Sequence, residues 1–175
     1  LAANAVLMNF FLFSGYFLDG LANAAEQLTG RAIGARYRPA FQRGVKLTII
    51  WSFALAALAS AFFLIAGPAL IALLTTAPEV RAAAETFLPW AALTSLTGVL
   101  AFQMDGVFIG ATWSNEMRNR MLLSFAFYLA ALAVFVPVFG NHGLWAAMNV
   151  FLLLRGVLLA LRLPAKADQA FRAAQ

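Results

Sequence analysis

Asp19, Glu26, Asp105 and Arg155 each sit inside a long apolar stretch of this sequence, where a charge has no water to hold it. An ionisable side chain in hydrocarbon costs on the order of several kcal/mol, so it normally turns to a bundle interior or an aqueous cavity. Such groups can exchange a proton, hold a cation or pair with one another. Asp19, Asn23 and Glu26 are spaced i, i+4 and i+7, which puts all three on one face of a helix. Gly15, Gly30 and Gly34 extend that stripe and would let another helix approach, while Tyr16 and Gln27 flank it. Two readings stay open for this face: a satisfied interhelical network, or carboxylates that act directly in moving ions.

Asp105 lies on a stripe with Thr94, Gly98, Ala101 and Thr112, residues small or hydroxylated enough to border a cavity, and no other carboxylate falls between Glu85 and Glu116. Hydrocarbon disfavours an unpaired carboxylate charge, which suits Asp105 to take up a proton or a cation. The alternative is a capping or hydrogen-bonding role near a helix end. Arg155 is preceded by apolar residues 150–154 and followed by apolar residues 157–161, so snorkelling to water is hindered. A buried guanidinium calls for a carboxylate, and Glu26 or Asp19 is the expected partner, either as a permanent clamp or as part of the working site. The pair Gly106 and Gly110 forms a GxxxG, a pattern common enough in membrane sequences to be explained by close packing alone.

These residues need helices to hold them. Of 175 residues, 63% are apolar and only 11% charged, and apolar runs of roughly twenty residues recur between short polar stretches. Each run is long enough to cross about 30 Å of hydrocarbon as a helix. The expected fold is an all-α polytopic membrane bundle of about five transmembrane helices, near residues 2–33, 42–66, 82–112, 118–138 and 143–163, with a polar tail over 164–175. Breakers mark the divisions: Arg38-Pro39, Gly67-Pro68, Pro78-Glu79, the polar run 115–119 and Gly140-Asn141-His142-Gly143. The apolar piece 69–74 is expected to lie at the membrane interface.

Lys and Arg alternate between the connections as five crossings require. Arg31, Arg36, Arg38, Arg43 and Lys46 fall at the first, Arg118 and Arg120 at the third, and Arg162, Lys166 and Arg172 in the tail. The second has only Arg81 against Glu79 and Glu85, and the fourth has none. The first residue is therefore expected outside and the C-terminus in the cytoplasm. The net charge of +5 reads as topology and not as nucleic-acid binding.

Without cysteine there is no thiolate chemistry, and neither a P-loop, a nucleophile elbow nor an HExxH motif is present, so no catalytic residue is assigned. His142 has no ligand-type neighbours at metal spacing and is expected in an exposed loop; no metal and no cofactor are expected. The chain begins at Leu1, and an odd helix count is expected of a fragment.

Two segments carry a family resemblance. Residues 16–35, YFLDGLANAAEQLTGRAIGA, and 102–119, FQMDGVFIGATWSNEMRN, resemble the eighth and tenth helices of the DinF-like branch of the multidrug and toxic compound extrusion (MATE) family. The resemblance runs through Leu163 and implies helices eight to twelve of a twelve-helix transporter, the N-terminal lobe and seventh helix being absent. It further implies a bacterial inner-membrane antiporter that exports small amphipathic or cationic compounds by alternating access, driven by protons or sodium ions. Asp105 matches a tenth-helix acidic residue linked to cation coupling in the NorM-like branch, whereas the DinF-like branch leans on an N-lobe aspartate. Other readings are a lipid-linked oligosaccharide flippase of a related branch, or a non-transporting membrane scaffold whose polar groups serve packing.

Overall fold

The computed structural model describes residues 1–172. It contains α1 (Ala2–Gly34), α2 (Arg38–Leu74), α3 (Pro78–Gly110), α4 (Ser114–Phe139), α5 (Asn141–Ala160) and α6 (Leu163–Arg172), and no strand among those residues. Five helices are long and apolar enough to cross a membrane, the last span including α6. The fold class read from composition and periodicity is the observed one.

The connections are one to three residues long, so α1 to α5 alternate in direction and α1, α3 and α5 point the same way. α1 and α3 end on the same local sequence, Ile33-Gly34-Ala35 and Ile109-Gly110-Ala111, and each is closed by a residue at positive φ, Arg36 at 52° and Thr112 at 60°. The backbone N–H of Tyr37 then reaches Ala32 O at 3.0 Å and that of Trp113 reaches Phe108 O at 2.8 Å, which satisfies carbonyls the helix end would leave orphaned. Gly140, at φ 55°, makes the single-residue turn between α4 and α5.

The second helix departs from the sequence expectation. α2 does not stop at Gly67-Pro68 but continues to Leu74, so residues 69–74 are helix and not a separate interfacial piece. A proline is tolerated within a membrane helix where neighbours hold the chain in place. Here Ile71 is fully buried, and Gly67 gives its space to Leu88: a Cβ on Gly67 would lie 2.5 Å from Leu88 Cδ2. The polar tail also differs, since most of it is α6, an amphipathic helix that buries Ala167 and Phe171. Phe171 stacks edge-on against Phe41 of α2 with ring centres 5.6 Å apart.

α3 is the axis of the bundle, packed by α1, α2 and α5, while α4 leans mainly on α5. Small and hydroxylated residues make α3 fit that place: Ala84, Ala91, Ala92, Thr94, Ser95, Gly98 and Ala101 are all buried. They let three helices come close at once. At one end the core is Leu7, Phe10, Phe63, Ile71, Leu88 and Trp145; at the other it is Phe41, Met104, Val107, Phe108 and Leu159.

Candidate functional site

Beside the second of these cores α1, α3 and α5, with Met117 of α4, line a partly open polar cavity of about 450 Å³. Asp19, Asn23 and Glu26 line it from α1, Asp105 from α3 and Arg155 from α5. The i, i+4, i+7 spacing does place the three α1 residues on one wall, and the wall borders a cavity instead of a tightly packed seam. Asp19 and Asn23 are exposed within this chain and Glu26 is half-buried. None of the three side chains forms a hydrogen bond or ion pair with a described residue, although the Glu26 carbonyl accepts from the Thr29 hydroxyl at 3.2 Å.

Asp105 and Arg155 meet directly: the Arg155 Nη2 donates to Asp105 Oδ2. The expectation that Arg155 pairs with Glu26 or Asp19 is therefore corrected. α5 packs along α3, and its hydrogen bonds to α1 lie near the start of both helices, where Asn4 joins Asn141 and Trp145. Asp105 is the carboxylate on the adjacent helix. Its second oxygen, Oδ1, is buried without a partner among the described residues. Three carboxylates against one guanidinium leave the cavity with an excess of acidic groups, which favours a cation inside it.

Glycines set this geometry. A Cβ on Gly106 would fall 2.1 Å from Ala22 O, and one on Gly110 would fall 2.2 Å from Glu26 O, so the α1 and α3 backbones touch beside the cavity. A Cβ on Gly156 would fall 2.6 Å from Ala101 N, which does the same for α3 and α5. Each member of the ion pair is thus followed by the glycine that brings its helix in. Among the glycines singled out from sequence, a Cβ on Gly30 would lie 3.1 Å from Gly110 O, one on Gly15 or Gly98 would make only ordinary contact with Phe102, and one on Gly34 would meet nothing within 4 Å. The GxxxG of Gly106 and Gly110 serves close packing, as expected from the sequence, and Gly156 was not singled out at all. Its signal was the repeated pairing of a charge with a following glycine, Asp105-Gly106 and Arg155-Gly156.

The remaining candidates lie outside the cavity. Thr94 is buried and its hydroxyl donates to Ala91 O at 2.6 Å, which binds it to its own helix. Gln27 and Tyr16 are exposed and do not join the charged group. His142 lies in the first turn of α5, exposed, where its Nδ1 accepts from the Trp90 indole at 3.0 Å. No group of three His, Cys, Asp or Glu side chains that could hold a metal occurs among the described residues.

A second polar seam joins α3 to α5 nearer their starts. Thr97 Oγ1 donates to Asn149 Oδ1 at 2.8 Å, and Asn149 Nδ2 donates to Trp145 O at 2.9 Å. Apolar grooves lie on the other flank of α1, one of about 350 Å³ walled by Phe13, Phe17, Leu55, Leu58 and Phe62.

Comparison with known proteins gives three findings. The MatE family model matches residues 1–134. DNA damage-inducible protein F of Escherichia coli (strain K12) is 41% identical over 166 residues, an alignment covering 91% of this chain and 35% of that protein. The crystal structure of a eukaryotic MATE transporter, AtDTX14, superposes with a TM-score of 0.84 at 17% identity, covering 99% of this chain and 41% of that one, a likeness of fold. The chain spans about a third of the length of the bacterial relative.

Proposed function

From the premise that this chain belongs to the MatE family of transporters, we propose that it forms part of a secondary active exporter of small amphipathic or cationic compounds. The single observation that carries this reading is the acidic cavity among α1, α3 and α5, with Asp19, Glu26 and Asp105 facing one guanidinium. In this proposal a proton or sodium ion enters the cavity and competes with Arg155 for Asp105. Binding then changes which packing of the bundle is favoured, and substrate biases the same equilibrium in the opposite sense. Export is completed by the rest of the transporter, including the N-terminal lobe and seventh helix that the family resemblance implies. The proposed setting is the bacterial inner membrane, with residue 1 outside and the C-terminus in the cytoplasm, a reading the Lys and Arg distribution supports.

Asp105 is the proposed coupling residue because, among the described residues, it alone pairs α3, the packing axis, with a charge on another helix. Asp19 and Glu26 supply further negative charge along the path. The test is efflux of ethidium by the full-length transporter in proteoliposomes under an imposed proton or sodium gradient. Asp105→Asn is expected to lower gradient-driven efflux about tenfold or more while membrane insertion is kept, a loss of about 1.4 kcal/mol or more in the coupled step. Unchanged efflux and unchanged gradient dependence in that variant would remove Asp105 from the mechanism.

A further inference from the structure

The basic end of the bundle carries a groove that the transport reading does not use. It has a volume of about 470 Å³ and lies between the start of α2 and α6. Arg38 and Lys46 stand on its wall beside Val45, Ile49, Ile50 and Leu163. Its polar edge is Arg38, Lys46 and the amide of Gln42, and the rest is hydrocarbon. Arg38 gives Nη2 to Asp168 at 2.5 Å, which leaves the other donors of its guanidinium available, and Lys46 is exposed with no bond to a described residue.

The depth of the groove fits a lipid. α2 has 37 residues and is about 55 Å long, well beyond the roughly 30 Å of bilayer hydrocarbon. That excess leaves room for its first turns, with Arg38 and Lys46, at headgroup level, with Ile49 and Ile50 one turn further in toward the acyl chains. Ten of the twelve Lys and Arg residues fall at this end of the helices or in the segment after α5, against only Glu116 and Asp168. We propose that this groove binds one anionic phospholipid, its phosphate held by Lys46 and Arg38 and an acyl chain lying on Val45, Ile49, Ile50 and Leu163. The bound lipid would tie α6 to α2, and so hold the C-terminal helix in its place under the bundle.

Charge complementarity commits the occupant to a lipid anion: a free phosphate has no use for the apolar wall, and a zwitterionic lipid has no net charge for the cations to answer. The inference does not depend on which ion drives transport. It is tested on the full-length transporter, stripped of lipid in detergent and titrated with phosphatidylglycerol, phosphatidylcholine or glycerol phosphate, with bound copies read by native mass spectrometry. Phosphatidylglycerol should bind at least about fivefold more tightly than phosphatidylcholine, and glycerol phosphate should not compete. Lys46→Gln should weaken phosphatidylglycerol about fivefold and Lys46→Arg restore it, whereas Arg43→Gln, outside the groove, should change it less than twofold. Unfolding midpoints in phosphatidylcholine, equal for wild type and Lys46→Gln, would show that the loss is one of binding and not of folding. Equal losses for Lys46→Gln and Arg43→Gln, equal binding of the two lipids, or failure of phosphatidylglycerol to bind would each overturn the assignment.

Discussion

α3 and α4 are adjacent in sequence, and the more hydrophobic of the two is the less buried. The most apolar stretch of α4 has a mean hydropathy of 2.4 and only 6% of it is buried, while that of α3 has 1.4 and 61%. In water this ordering would be reversed. In a bilayer the lipid is as apolar as leucine, so hydrophobicity does not draw a helix inward; small residues that permit contact and polar groups that need partners do. α3 has both, in Ala91, Ser95, Gly98, Ala101, Gly106 and the pair Asp105 with Arg155. α4 turns Leu122, Phe125, Phe127, Val134 and Val138 outward, and only Ser124 is buried. The interior of this bundle is thus recognised by what is not greasy, which is also where the proposed coupling residues sit.

Substitutions can break or sharpen that contrast. The largest effect is expected from Arg155→Ala, which leaves Asp105 buried and unpaired; removal of one partner of a buried pair costs about 3–5 kcal/mol, to be read as loss of folded protein in detergent melts. Arg162, on the exposed side of its ion pair with Glu116, should give less than about 1 kcal/mol on the same change, and equal effects of the two would remove the distinction between interior and rim. Next is Gly106→Val, whose side chain would meet the Ala22 backbone and force α1 away from α3 at a cost of about 1–3 kcal/mol, measured by the same melts. Thr97→Val removes one partner from Asn149 between α3 and α5 and should cost about 1 kcal/mol. The smallest effect belongs to α4: Ala133→Leu on its exposed face should stay within about 0.5 kcal/mol. A large loss from Ala133→Leu would mean that α4 is packed against another part of the transporter.

The sequence made the fold legible because long apolar runs and their breakers are local signals. It also placed Asp19, Asn23 and Glu26 on one face, since that needs only the helical repeat. What it did not settle was anything that depends on which helix lies next to which. Arg155 could be seen to need a carboxylate, yet whether that was Asp19, Glu26 or Asp105 is decided by α5 packing on α3. Pro68 read as an end because its missing N–H is visible in sequence, whereas the contact of Leu88 with Gly67 and the burial of Ile71 are not. The segment after Leu163 read as a polar tail because its average is polar. Its apolar residues Ala167 and Phe171 share a helical face, and docking on Phe41 makes that face count.

The account turns on Asp105 and Arg155 acting as one unit within the acidic cavity. A double-mutant cycle of Asp105→Asn and Arg155→Gln, read as gradient-driven ethidium efflux by the full-length transporter, tests this most directly. The account predicts that the double variant is no slower than Asp105→Asn alone, a coupling of about 1.5 kcal/mol or more, and that Glu26→Gln with Arg155→Gln combines independently. Losses that multiply for Asp105 and Arg155, with the coupling found instead at Glu26 or Asp19, would contradict it.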